Sequence, residues 1–515
     1  MPNRRQILRG AGSLGFGSMF LGGPAWSKIN AAVRTILPSV TSDTIALKVL
    51  LDTPPSAPPV LTIDGRVVRG CKTDPDGYGW AFVQTGLRPG TRHTLALKNE
   101  HGAALREPWP LSTLPGDNAL PDNFRILFFT CAGGDEAEED GHIPIAVRRA
   151  LLDRALDFAP DLAVANGDHV YWDQWTGLKY VGSEQKHTRT AELYHRIAWL
   201  DEDSGFDSTN NRQALNTVVG RQIASLYEDR FASVPLIFIA DDHDYFENDN
   251  AGPWGYSFPP RPFILGLQRR TAALAYPLAL GRPELATSLS SETVETVQVG
   301  KLFEMALYDC RRGWSTGPDA RVLFPDVEDF LIRRLKTSTA NHYIHAPSNP
   351  FGWSKGALGE WYGDQPRGPT PQGNDKGYWQ QGWFAQHQRI AAALTAQRTR
   401  AAISISGDMH ASAATRMTRS AELDLSANPI EAILSGTIGT GKSGFPSSAR
   451  GNFPFTPAGV EATPRNSFEE KNGFTLFDVK PDRIEVRQFR WRPPEPIEAI
   501  ASLQQVSSFT IPRPV

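Results

Sequence analysis

The sequence lacks the features that would place it in several large classes of protein. Its 515 residues include only three cysteines, Cys71, Cys131 and Cys310, and an odd number this small excludes a disulfide framework. With 53 basic and 56 acidic residues, the formal net charge is −3. There is no global basic field, so nucleic-acid binding is not expected. Apart from the N-terminal leader, no apolar run is long enough for a membrane span, so no transmembrane anchor is expected.

The composition indicates a large folded protein. Hydrophobic residues make up 40% of the chain and charged residues 21%, which provides a real core and excludes a mostly disordered chain. At 515 residues the chain is too long for one ordinary domain. The 45 glycines and 40 prolines indicate many turns and long loops.

The N-terminus has the pattern of an export signal. Arg4 and Arg5 precede an apolar, glycine-rich run through Leu21, and small residues follow from Ala25 to Ala31. The arginine pair resembles a twin-arginine signal. A buried helix is the alternative, but a run this rich in glycine is a poor core helix. Residues 1–32 are therefore predicted to be a signal peptide that engages the twin-arginine translocase, which gives a periplasmic or secreted mature protein.

The next part of the sequence is predicted to be all-β. Short strand-like segments are separated by proline and glycine clusters, at 44–51, 60–63, 79–83 and 94–98. This spacing predicts a small N-terminal β-sandwich over residues 38–116, similar to fibronectin or immunoglobulin modules.

After residue 122 the pattern becomes α/β. Four apolar strands are predicted, at 124–130, 161–166, 236–240 and 401–406. Helices are predicted at 144–158 and 384–394, and a hairpin joins 474–479 to 484–489. Fully apolar strands separated by helices indicate a sheet covered on both faces, or two sheets with helices outside. The second domain is predicted over 122–492, followed by a C-terminal tail at 493–515.

The segment 347–383 is rich in glycine, proline and tryptophan. A long segment without clear periodicity is typical of a functional loop or lid. A surface insertion packed by its own aromatic side chains explains the composition equally well.

Each of the four apolar strands is followed by residues of the types that commonly bind metals in proteins. The strand ends carry Cys131, the segment Gly167–Tyr171, the segment Asp241–Asp244 and the segment Gly407–His410. In open α/β sheets, ligands bind beyond the carboxyl ends of the strands. One aspartate at a strand end is explained by capping, but four such ends are more readily explained by a shared site.

The residue types favour a metal centre. Converging carboxylates repel one another, and a multivalent cation makes them cooperative ligands. Sulfur, phenolate and imidazole groups from Cys131, Tyr171 and His410 suit a transition metal such as iron. The carboxylates of Asp242 and Asp408 suit a harder ion, with Asp168 as the natural bridge. Each residue also has a structural reading: Cys131 as a small core residue, Tyr171 as a core aromatic, and Asp242 with His243 as a salt-bridged turn.

Together the four blocks resemble the alkaline phosphatase D (PhoD-like) family of metallophosphoesterases. The matching blocks are Phe129–Cys131, Gly167–Tyr171, Asp241–Asp244 and Gly407–His410. The segment Tyr308–Arg311 resembles the family's Asp-x-Arg block. The export signal and the β-rich front module match as well, so the resemblance covers nearly the whole chain.

The resemblance implies a fold, a ligand set and roles for two further residues. The fold is an α/β four-layer sandwich of two packed sheets flanked by helices. Fe(3+) would be held by Cys131, Asp168, Tyr171 and His410, and Ca(2+), as one or two ions, by Asp168, Asp242 and Asp408. Manganese, magnesium or zinc are alternatives to these ions. His243 would donate a proton or stabilise charge at the leaving group, and Arg311 or Arg312 would contact a phosphate oxygen.

The implied function is that of an exported, metal-dependent phosphoesterase. It would hydrolyse phosphomonoesters, phosphodiesters or both, on a small-molecule or lipid substrate, by attack of a metal-activated hydroxide. Two alternatives stay open: a phospholipase D-type phosphodiesterase, and a non-catalytic envelope protein that binds phosphate or calcium on the same fold.

Overall fold

The structure is a computed structural model. It describes residues 33–99, 101–136, 141–172, 196–201, 203–245, 260–354, 361–363, 379–441 and 455–514. The predicted signal peptide, 1–32, and most of the Trp-rich segment, 355–360 and 364–378, lie outside the described residues.

The N-terminal module is a β-sandwich of two four-stranded sheets, as predicted. Its strands are β1 (Val33–Val40), β2 (Ile45–Leu51), β3 (Val60–Ile63), β4 (Arg66–Arg69), β5 (Cys71–Lys72), β6 (Gly79–Gln84), β7 (Arg92–Lys98) and β8 (Trp109–Ser112). The sheet orders are β1-β2-β6-β5 and β4-β3-β7-β8. Strand β7 shows the reason for the packing, because its alternate residues His93, Leu95 and Leu97 are buried while its other residues are more exposed.

Strand β1 begins five residues before the predicted start of the module. Val33 is already buried, and β1 pairs antiparallel with β2 from Val33↔Leu51 to Val40↔Ile45. The sandwich therefore begins directly after the predicted signal segment.

The second domain contains the remaining fourteen strands of the described residues in two large sheets. They are β9 (Phe124–Phe129), β10 (Leu162–Asn166), β11 (Leu236–Ile239), β12 (Val294–Val299), β13 (Phe303–Tyr308), β14 (His342–Pro347), β15 (Ala402–Ser406), β16 (Ser412–Ser420), β17 (Leu423–Asp424), β18 (Ile430–Ser435), β19 (Val460–Pro464), β20 (Asn472–Lys480), β21 (Arg483–Trp491) and β22 (Gln505–Pro512). One sheet has the order β11-β10-β9-β20-β21-β22, and the other β12-β13-β14-β15-β18-β16-β17 with β19 beside β16.

Helices cover the outer faces of these sheets. They are α1 (Ile145–Leu156), α2 (Thr209–Val219), α3 (Ser225–Tyr227), α4 (Pro262–Ala275), α5 (Ser288–Ser291), α6 (Pro325–Thr337) and α7 (Gln381–Thr395), with a π-helical turn at Gly220–Ala224. Along β9, Ile126 and Phe128 pack in the core between the sheets, whereas Leu127 and Phe129 pack in the core under the helices. Both faces of the strand are buried, which explains the continuous apolar runs. The predicted four-layer α/β architecture is confirmed.

The parallel strands place the candidate site residues at one rim. Strands β9, β10 and β11 are parallel neighbours, as are β13, β14, β15 and β18 in the other sheet. The sheets are joined at this rim, where Thr130 N–H donates to the Gly436 carbonyl at 2.9 Å. The segments that follow β9, β10, β11 and β15 therefore meet.

The C-terminal segment differs from its expected description as a tail. It forms a 3-10 turn at Ile497–Ser502 and then β22, which pairs antiparallel with β21. Arg154 of α1 donates to the Leu503 carbonyl at 2.9 Å, so the segment also packs on a core helix.

None of the helices in the described part of the chain could span a membrane. Each one is too short or too polar to cross a lipid bilayer.

Candidate metal centre

Three candidate ligands sit in an unusual backbone conformation immediately after their strands. Cys131, Asp168 and Asp408 have φ angles of 49°, 58° and 64°. This left-handed region is uncommon for residues with a side chain and is often found at functional sites. Gly407, which precedes Asp408, leaves no room for a side chain. A Cβ at this position would lie 2.0 Å from the Asn166 carbonyl oxygen.

The first group of ligand atoms combines sulfur, oxygen and nitrogen. One ligand atom each from Cys131, Asp168 and His410 lies within 4.8 Å of the others. The Tyr171 hydroxyl joins this group, since it donates to Asp168 Oδ2 at 3.2 Å and lies 3.3 Å from His410 Nε2.

Two further groups extend the site towards the other carboxylates. Asp168, Asp242 and His243 form one group, and Asp241, Asp242 and Asp408 form another, each with ligand atoms within 4.8 Å of one another. Asp168 belongs to the first two groups and Asp242 to the last two. The structure therefore brings all six predicted ligands into one continuous cluster, with Asp168 between its two halves.

Burial opposes the charged forms of these groups in the absence of a cation. Burial, followed by the neighbouring Asp168 carboxylate, raises the pKa of the Cys131 thiol well above its ordinary value. Burial also raises the pKa of Asp168 to about 7. The pKa of Asp241 lies well above its ordinary value, again because of burial, although the Arg311 guanidinium opposes the shift.

Arg311 is fully buried among the carboxylates. Its Nε donates to Asp241 Oδ1 at 2.5 Å, and its Nη2 lies 3.3 Å from Asp408 Oδ2. Its contact with a phosphate oxygen stays a prediction. Arg312 points elsewhere, because its guanidinium donates to Tyr245, Glu292 and Gln268.

His243 lies on the rim of the cluster. It follows Asp242 in a 3-10 turn at Asp242–Tyr245. Its ring packs against the Tyr171 ring with centroids 4.0 Å apart, and 8% of the residue is exposed. It is therefore next to the candidate ligands.

Two residues near the site were not among the ligands predicted from the sequence. Asp244, the last residue of the third block, is fully buried. Its carboxylate accepts the backbone N–H groups of residues 168, 169, 170 and 241, each at 3.0 Å, and the hydroxyl of Tyr276 at 2.9 Å. It thereby joins the second block to the third, and its place in the Asp241–Asp244 run was the available signal.

His142 is the second of these residues. Its ring meets the Tyr171 ring edge-on, with centroids 4.6 Å apart. Burial, together with the charge of Arg148, lowers the pKa of His142 well below its ordinary value. Nothing in the sequence spacing connects it to the four blocks.

The residues present fit a bound cation. The Oδ1 atom of Asp168 and the Oδ2 atom of Asp241 are buried and accept no hydrogen bond from the residues that the structure describes. Buried carboxylate oxygens without donors are costly unless a cation compensates them. The mixed sulfur, phenol and imidazole set suits a transition metal, and the carboxylate set suits a harder ion.

The second domain is a four-layer α/β sandwich of two packed sheets between helices, and an N-terminal β-sandwich precedes it. The solved structure of PhoD has this fold, with a TM-score of 0.65 and 17% identity over 93% of this chain and 90% of that one. A purple acid phosphatase from yellow lupin (Lupinus luteus) seeds matches with a TM-score of 0.52 and 13% identity over 94% of this chain and 75% of that one. The fold that the sequence resemblance implied is thus confirmed.

The comparisons of the amino-acid sequence with known families and proteins give no match. No protein-family model matches the chain, and a search of curated proteins finds no match.

Proposed function

We propose that the protein is an exported metal-dependent phosphoesterase of the alkaline phosphatase type. The observation that carries this proposal is the convergence of ligand atoms from four strand ends, in groups that share Asp168 and Asp242. The likeness in fold to PhoD and to a purple acid phosphatase supports the reaction class.

The proposed ions divide between the two halves of the cluster. Cys131, Asp168, Tyr171 and His410 would hold Fe(3+), and Asp168, Asp242 and Asp408 would hold Ca(2+). When bound, the ions supply Lewis-acid polarisation of the phosphoryl group and activation of water. The buried carboxylates, whose charge is costly on its own, would carry it at lower cost beside bound cations.

The remaining roles belong to side chains of this chain. A ring nitrogen of His243 holds the proton that the leaving oxygen takes, since the imidazole lies beside the Asp168 and Asp242 carboxylates. Arg311 holds Asp241 in place and balances the charge of the carboxylates around it. Asp244 keeps the second and third blocks at a fixed separation through its backbone hydrogen bonds.

The test is metal analysis of the purified protein together with turnover of phosphoesters. Asp168→Asn should lower the metal content and reduce phosphoester hydrolysis by about a hundredfold or more, because it weakens both halves of the site. Asp329→Asn, at an exposed position on α6, is the matched control and should behave as wild type. Near-normal turnover by Asp168→Asn would reject the assignment.

The preference for phosphomonoesters or phosphodiesters is tested by comparing the rates at which the protein hydrolyses two esters. A phospholipase D-type or other phosphodiesterase hydrolyses bis(p-nitrophenyl) phosphate at a rate comparable to or above that of p-nitrophenyl phosphate. An alkaline phosphomonoesterase shows the reverse order. Metal content without hydrolysis of any ester would instead support a phosphate- or calcium-binding envelope protein.

Export is a separate part of the proposal. It depends on the N-terminal signal pattern, and the buried start of β1 at Val33 is consistent with a mature protein that begins shortly before this residue. Fractionation of cells that produce wild type and an Arg4→Lys, Arg5→Lys variant tests it. Retention of the variant in the cytoplasm is expected, and equal export would reject the twin-arginine route.

A further inference from the structure

A buried glutamine connects the two loops that carry Cys131 and Tyr171. Gln222 lies in the π-helical turn Gly220–Ala224 and is fully buried. Its Oε1 accepts the backbone N–H of Gly134 at 2.7 Å and the backbone N–H of Tyr171 at 2.8 Å. Gly134 is three residues after Cys131, so a single side-chain oxygen joins the loop of the thiol to the residue that carries the phenol.

The orientation of the Gln222 amide follows from these contacts. Both partners are N–H donors, so only the carbonyl oxygen can occupy this position. The Nε2 atom has no hydrogen-bond partner among the residues that the structure describes. The side chain therefore serves the two loops through its oxygen alone.

Other contacts also hold the loop of Cys131. Arg148 Nη1 donates to the carbonyls of Gly133 and Gly134, each at 2.7 Å. The N–H groups of Cys131 and Gly133 donate to the carbonyls of Gly167 and Asp168 at 3.1 and 2.9 Å. Gln222 accepts the Gly134 N–H and the Tyr171 N–H, so its side chain connects this loop to the Tyr171 backbone.

The helical segment explains how the oxygen reaches this place. A regular helix runs from Thr209 to Val219, the π-helical turn follows, and Ser225–Tyr227 resumes α-helical geometry. A π-turn inserts one residue and shifts the side chains in it relative to the flanking helix, and such turns are frequent at functional sites.

We propose that Gln222 is a positioning residue for the metal centre, which fixes the separation of the Cys131 thiol and the Tyr171 phenol. The inference rests on the proposed function, because it requires both side chains to be ligands of one ion. It assigns Gln222 no contact with substrate or metal.

Co(II) is a suitable probe of this role. Titration of the metal-free protein with Co(II) produces a thiolate-to-Co(II) charge-transfer absorption when a cysteine coordinates the ion, and Cys131→Ser gives the baseline. Gln222→Met keeps the length of the side chain and removes the acceptor. We expect its Kd for Co(II), read from this band, to rise by about 10- to 100-fold, as is usual when a residue that orients a ligand is lost.

The chain offers a matched control at Gln386. This residue of α7 is also buried, and its Oε1 likewise accepts two backbone N–H groups, those of Val322 at 2.7 Å and Leu323 at 3.0 Å. Gln386→Met removes the same kind of contact away from the candidate ligands. The Nε2 of Gln386 also donates to the Leu323 carbonyl at 3.1 Å and to Glu328 Oε2 at 2.8 Å. The variant should therefore lower thermal stability at least as much as Gln222→Met and leave the Co(II) affinity unchanged.

The possible results separate the two claims. A wild-type protein that binds no Co(II) through a thiolate contradicts the proposed function. A wild-type band with unchanged affinity in Gln222→Met contradicts the positioning role alone. If Gln222→Met does not fold, Gln222→Asn keeps the amide but withdraws its oxygen by one methylene, and wild-type affinity in that variant overturns the inference equally.

Discussion

The left-handed residues Cys131, Asp168 and Asp408 show how the site depends on single backbone positions. Each lies two residues beyond the end of a strand that has a parallel neighbour, namely β9, β10 or β15. The conformation costs about 1–2 kcal/mol per residue. The sequence predicted which residues stand at these strand ends, but not this conformation, because cysteine and aspartate do not mark it as glycine does.

Side chains that hold the site by accepting backbone N–H groups were also not predicted. Asp244 and Gln222 accept N–H groups from segments that are distant in the chain. Such a role leaves no spacing signal, because almost any polar residue at the right place could fill it. The ligands themselves were found because their chemical types and their order along four strands restrict the possibilities.

At Glu295 the structure predicts a pH dependence of stability. This buried residue of β12 accepts the Leu280 N–H at 3.1 Å, and burial raises its pKa from 4.5 to about 7. Between these values the folded state holds the proton and the unfolded state releases it. The contribution of Glu295 to stability therefore falls as the pH rises from about 4.5 to about 7.

Glu295→Gln should remove this dependence. The amide keeps an acceptor for Leu280 and does not ionise. Relative to wild type, the free energy of unfolding of the variant should increase by up to about 3 kcal/mol between pH 5 and pH 8. Urea unfolding of both proteins across this range measures it, and parallel pH profiles would contradict the expectation.

At the scale of elements, the end of α1 offers a test of backbone strain. Ala159 follows the helix with a φ of 49°, is exposed, and donates its N–H to the Leu156 carbonyl at 2.8 Å. Glycine adopts this conformation without a steric penalty. Ala159→Gly should therefore raise the free energy of unfolding by about 1 kcal/mol in urea titrations.

The same substitution inside the helix provides the control. Ala150 lies in the middle of α1, where glycine should lower the free energy of unfolding by about 1 kcal/mol. If both variants were destabilised, the conformation of Ala159 would carry no strain.

The elements that were predicted and those that were missed differ in their surroundings. Strands β9, β10, β11 and β15 are covered on both faces, and their continuous apolar runs predict them. Strand β22 is half exposed at a sheet edge and reads Gln-Val-Ser-Ser-Phe-Thr-Ile-Pro, a pattern too polar to be distinguished from a tail. Strand β1 contains Pro38 and directly follows the signal-like segment, which concealed its start.

At the scale of the whole molecule, a buried ion pair joins the N-terminal sandwich to the second domain. Arg106 Nε lies 3.0 Å from Asp229 Oδ2, with side chains only 6% and 13% exposed. Removing one partner leaves the other buried without compensation. Arg106→Met should therefore lower the free energy of unfolding by about 3 kcal/mol.

An exposed pair supplies the comparison. Arg419 and Glu461 are 3.4 Å apart, with side chains 47% and 62% exposed, so Arg419→Met should change stability by less than about 0.5 kcal/mol. Urea unfolding of the two variants separates the cases. Equal effects would mean that the domain contact does not depend on the Arg106 charge.

The docking of β1 has a consequence for the candidate metal centre. The Ile36 N–H and the Thr35 hydroxyl both donate to the Glu228 carbonyl, at 2.9 and 2.7 Å. Glu228 ends the helical segment that contains Gln222, six residues earlier, a rise of about 9 Å. Strand β1 is thus hydrogen-bonded to the end of the helical segment from which Gln222 reaches the loops of Cys131 and Tyr171. A module that carries none of the predicted ligands therefore supports the segment that we propose to set their spacing.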